Sequence, residues 1–128
     1  MNIVFFTVKD TPSKLTKLYR ISEQHLMQKE PLLLLAFDKN SFDFLDKLLW
    51  SSPPESFLPH PSSFLAISQE VLPHFPTIFN LRPTPLLEAA GIKTIYEFED
   101  HTSSEKFQLS KQRYQNYRDG HFPIVVEI

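Results

Sequence analysis

No cysteine occurs in the chain. Disulfide scaffolds, thiolate metal sites and cysteine nucleophiles are thereby excluded, and such a composition suits a reducing cytosol. Glycine occurs only twice, as Gly91 and Gly120. Loops that cradle phosphates bring backbone N–H groups close to the ligand and need several glycines, so neither a G-x-G-x-x-G nor a Walker pattern can be written here. No stretch approaches the roughly 18 apolar residues of a membrane span. The apolar run at the N-terminus is short and meets Lys9 and Asp10 at once, which does not fit a secretory leader. The expectation is a cytoplasmic protein that keeps its first strand. Neither sign of charge dominates: 13 Lys and Arg stand against 15 Asp and Glu, a net charge of −2. A surface that grips nucleic-acid phosphates is usually basic.

What is present fits one globular domain. The 128 residues, 41% of them hydrophobic, can bury a single core without staples, and no repeat or second domain is visible. Residues 2–8 are apolar, β-branched and aromatic, the pattern of a strand buried on both faces. Thr11 and Pro12 read as a capping hydroxyl followed by proline in the first turn of a helix. Leu15, Leu18, Ile21 and Leu26 carry that helix to about Lys29, and Pro31 stops it. Residues 32–37 read as a second strand, and Ser41 as the cap of a helix over residues 42–50. This β-α-β-α order predicts a three-layer α/β fold with a mostly parallel sheet, Rossmann-like but without a nucleotide-binding glycine loop. Four prolines between residues 51 and 61 forbid regular structure there. Further strands are expected at 64–68, 77–81, 94–98 and 122–128. A short helix is expected at 85–90, and a last helix from Ser104 to about Arg118. Gly120 is placed to take the left-handed position after that helix.

Few residues invite catalytic roles. The five histidines lack metal-ligand spacing. His101, after Glu97, Glu99 and Asp100, reads better as a strand edge running into a loop. Asp43 and Asp46 suit the first half of their helix electrostatically. An enzyme on this frame would work at the carboxyl ends of the strands, with Asp38, His60 or Asp100, and would need a deep polar pocket and perturbed carboxylates.

The last helix carries a more specific pattern. Phe107, Lys111, Tyr114 and Arg118 stand at i, i+4, i+7 and i+11, along one side of a helix. Such a stripe suits an acidic peptide that ends in an aromatic residue: a cation holds the carboxylate and rings receive the side chain. The plainer alternative stays open, because basic residues favour helix C-termini and tyrosines line core edges. Direct single-strand DNA binding by the same stripe is a further alternative, which the net charge disfavours. Trp50 and Phe57, flanking a stiff proline loop, suit a protein-docking anchor, or else cap the core.

Two segments carry a resemblance. Residues 45–60, LDKLLWSSPPESFLPH, follow the pattern of a helix ending in L-W and then P-x-E-S-F-x-P-H, and residues 113–118, RYQNYR, are followed by Phe122. Together they resemble the chi subunit family of bacterial DNA polymerase III, whose order of elements also fits from end to end. At Phe107 that family can carry a lysine, and Gly120 sits one residue early. The resemblance implies a non-catalytic accessory subunit of the holoenzyme, associated with the clamp loader and without cofactor or metal. It would bridge the replisome to the acidic C-terminal tail of single-stranded DNA-binding protein, touching DNA only indirectly. It further implies Phe107, Lys111, Arg113, Tyr114 and Arg118 at or beside the tail site. Trp50, Pro53 and Phe57 would face a partner subunit, psi in some bacteria.

Overall fold

A computed structural model describes residues 1–50, 58, 60, 62–87 and 91–127. The described residues form six strands and three helices in the order β1 (Asn2–Val8), α1 (Thr11–Gln28), β2 (Leu32–Leu35), α2 (Lys39–Trp50), β3 (Leu65–Ser68), β4 (Thr77–Asn80), β5 (Thr94–Asp100), α3 (Ser104–Asp119) and β6 (Ile124–Glu127). They build one sheet in the order β3-β2-β4-β5-β1-β6. Every neighbouring pair is parallel.

The inner strands are buried because helices cover both faces, while the edge strand β6 is largely exposed. Leu18 and Ile21 of α1 and Leu45 and Leu49 of α2 pack with Phe6, Leu32, Leu34 and Phe79 on one face. On the other, Tyr117 of α3 packs with Ile3, Phe5, Leu33, Ile78 and Ile95. This is the three-layer arrangement expected from the β-α-β-α reading. Leucine is a modest strand former, yet Leu32 to Leu35 are all fully buried. Each such side chain contributes about 2 kcal/mol through burial, which outweighs propensity.

The starts of α1 and α2 differ from the sequence reading by one and three residues, while α3 begins at Ser104 as expected. Asp10, not Thr11, caps α1: its carboxylate accepts the Ser13 N–H at 2.7 Å. Asp38, not Ser41, caps α2, accepting the Ser41 N–H at 2.8 Å. In both places the acid lies where its oxygen meets an orphan N–H of the first turn. These bonds hold both carboxyls below the usual aspartate range. Residues 85–87 form no helix, and the rest of that expected helix, 88–90, lies outside the described residues. Gly120 has φ −80°, so it is not the left-handed residue after α3; His121, with φ 63°, takes that role. Glycine is needed at 120 for space instead, since a Cβ there would lie 2.7 Å from the Phe122 ring.

Candidate protein-binding site on the last helix

The start of α3 is fixed by Ser103, whose hydroxyl accepts the Lys106 N–H at 3.1 Å. Its inner face is Ser110, Arg113 and Tyr117. Arg113 enters the core beside Glu97 of β5: Nε donates to Oε1 at 3.0 Å. Its other nitrogens donate to the carbonyls of Pro83 and Phe98 at 3.3 and 3.2 Å. Tyr117 donates to Glu97 Oε2 at 2.5 Å, and Asn80 donates to the same oxygen at 2.8 Å. Glu97 is fully withdrawn from solvent. That burial pushes its carboxyl up to about 7 despite the nearby guanidinium and its three donors.

With Arg113 directed inward, the outer flank of α3 presents Phe107, Lys111 and Tyr114 to a hollow of about 480 Å³. Phe5 of β1, Val126 of β6 and Glu99 of β5 close it from the sheet side. The Phe5 and Tyr114 rings meet edge-on, 5.6 Å between centroids. Phe107 stacks on His101 at 4.1 Å, and Lys111 Nζ lies 4.8 Å from the Phe107 centroid. The ammonium is exposed and has no carboxylate partner among the described residues. Glu99, the hollow's one acid, is engaged: Oε2 accepts from Thr7 Oγ1 at 2.8 Å, and Oε1 meets His101 Nε2 at 3.1 Å. The hollow thus offers rings, an aliphatic wall and an unpaired cation, a combination suited to an anionic group attached to an apolar one.

A family model described as the DNA polymerase III chi subunit, HolC, matches residues 1–125 of the chain. The chain belongs to this family. It is therefore a chi-type accessory subunit of DNA polymerase III, and the family is non-catalytic. No curated protein matches the chain.

Within this chi-type fold, the five helix residues singled out by sequence separate into three groups. Phe107, Lys111 and Tyr114 come together around the hollow. Arg118 is exposed one turn further on and does not line it. Arg113, expected at or beside the tail site, is buried next to it, and its donors are taken up by Glu97, Pro83, Phe98 and Ser110. Phe5 and Val126 went unread as site residues. Phe5 is distant in sequence from α3, and it stands beside Val126 because β1 pairs in parallel with β6.

At the far end of α2, Trp50 is 47% exposed. Its indole N–H donates to Asp46 Oδ1 at 3.1 Å, and its ring lies 4.7 Å from that of His60. His60 Nε2 meets the same Asp46 oxygen at 2.7 Å. Asp46 therefore fixes the Trp50 end of the helix. Pro53 and Phe57 lie outside the described residues.

The residues named for an enzyme have separate structural partners. Asp38 caps α2 and His60 serves Asp46. Asp100 is ion-paired with Lys14 at 2.5 Å. Burial alone would raise the Asp100 carboxyl, but hydrogen bonds from Lys14 and Thr102 outweigh it and hold the group below its ordinary value. Among the described residues, no three His, Asp or Glu side chains are grouped to hold a metal, and no helix is long and apolar enough to cross a membrane.

Proposed function

We propose that this chi-family subunit tethers the polymerase III assembly, through the clamp-loader complex, to single-stranded DNA-binding protein by holding that protein's acidic C-terminal tail. The observation that carries this reading is the hollow beside α3, where unpaired Lys111 stands over the Phe107 ring at the mouth of a site walled by Phe5, Tyr114 and Val126. Lys111 holds the terminal carboxylate, and the rings receive the terminal aromatic side chain. The tail's acids engage the exposed cations of the helix, Arg118 among them. DNA is reached only through the partner. The half-exposed Trp50 at the end of α2 takes a second protein subunit, psi where it occurs.

Calorimetric titration of the chain with an acidic, Phe-terminated peptide tests the reading. Saturable binding is expected, and Lys111→Glu is expected to cost about 2 kcal/mol or more, as for one lost partner of a charge pair. No saturation at high micromolar peptide would remove the proposal.

A further inference from the structure

A larger crevice of about 680 Å³ opens at the carboxyl ends of β4 and β5, straddled by the first halves of all three helices. Its walls include Phe37 and Phe44, 57% and 52% exposed. Two large apolar side chains left in solvent beside one crevice mark a surface that is covered by something else. The lining also has an excess of positive charge. It carries Lys14, Arg82, Lys106 and Arg113 against Asp100 and Glu105, in a chain whose net charge is −2.

Two of those cations are already committed. Lys14 pairs with Asp100 and Arg113 with Glu97. The other two are not. Among the described residues, Arg82 Nε is shut off from solvent with no hydrogen-bond partner, and the exposed Lys106 ammonium has none either. Arg82 as a whole is only partly buried, and its charge on the crevice wall is open to a carboxylate that an occupant brings. The helix starts that converge here add to the same sign of potential. Rim phenylalanines this exposed favour an occupant that lies across the crevice, as a peptide does.

We propose that this crevice docks an acidic segment of a partner protein, one with a bulky apolar side chain between carboxylates. The apolar group packs on Phe37 and Phe44, and the carboxylates meet Arg82 and Lys106. The site shares no residue with the hollow that holds Lys111, so it is separate from the tail reading and needs no free chain end.

The test is an NMR titration of the full chain with the capped peptide acetyl-Glu-Asp-Phe-Asp-Glu-amide, which has no terminal carboxylate. Saturating shift changes are expected at Phe37, Phe44, Arg82 and Lys106. Arg82→Glu should weaken binding tenfold or more, and the exposed Lys106→Glu several-fold. Lys111→Glu should leave it unchanged. Replacing the peptide's Phe by Ala should abolish saturation. Absence of saturation at millimolar peptide, shifts confined to Phe107 and Tyr114, or affinity indifferent to both charge reversals would overturn the proposal.

Discussion

Arg113 Nε donates to Glu97 Oε1 across 3.0 Å, with both side chains out of solvent, and this pair joins α3 to the sheet. Removing Arg113 strips Glu97 of its counter-charge and of a hydrogen-bond donor, so the carboxyl must stay unpaired in the core or take up a proton. Arg113→Met is therefore expected to lower unfolding stability by about 3–5 kcal/mol. Lys111→Met, on the exposed side of the same helix, should stay within about 0.5 kcal/mol of wild type. Urea unfolding of the two variants separates the residue that builds the site from the residue that faces a ligand.

The same pair makes stability depend on pH. Unfolded, Glu97 ionises near its ordinary value of 4.5; folded, burial raises it to about 7. Between those values the folded form holds more proton, so its stability is greatest on the acid side and declines as pH rises from 4.5 through 7. The gap between the values limits the decline to about 3 kcal/mol. Unfolding of wild type and Glu97→Gln at pH 5, 6, 7 and 8 checks this. The difference between them should change steadily up to pH 7 and then level off. A difference that stays constant would show that Glu97 is ionised throughout.

Elements were legible in the sequence where one local signal sufficed. The apolar runs of β1 and β2 could lie only inside a parallel sheet, and the stripe of Phe107, Lys111 and Tyr114 follows from helical spacing alone. Caps were harder to read, because Asp10 next to Thr11 and Asp38 near Ser41 each offer two side chains able to accept the same N–H groups. The inward turn of Arg113 was hidden for a different reason. Its position in RYQNYR says nothing about which way the guanidinium turns, and that is decided by Glu97, sixteen residues away. The Phe5 and Val126 walls depend on strand order, which no local pattern encodes.

Gly120 gives a steric prediction. Its φ of −80° is open to any residue, but a Cβ would meet Phe122 ring carbons at 2.7 and 3.0 Å. Gly120→Ala is expected to destabilise the fold by about 1–3 kcal/mol through overpacking. In Phe122→Leu the obstructing ring is gone, so the same alanine should cost far less. A double-mutant cycle measured by thermal unfolding would show the coupling; simple additivity would place the strain elsewhere.

Phe107 has two parts in the tail site: it lines the hollow, and its ring lies under the Lys111 ammonium at 4.8 Å. Phe107→Ala removes both and should weaken an acidic, Phe-terminated peptide by about 2 kcal/mol. Phe107→Leu keeps an apolar wall but loses the quadrupole that holds the cation, and should cost about 0.5–1 kcal/mol. Salt separates the two contributions, because screening acts on the exposed charge and not on the packed ring. Between 50 and 300 mM salt, wild type and Phe107→Leu should weaken in parallel, while Lys111→Met, already weaker, should show a shallower dependence. If Lys111→Met followed the wild-type slope, the anionic end of the peptide would be held by a different cation, and the hollow would serve only its ring.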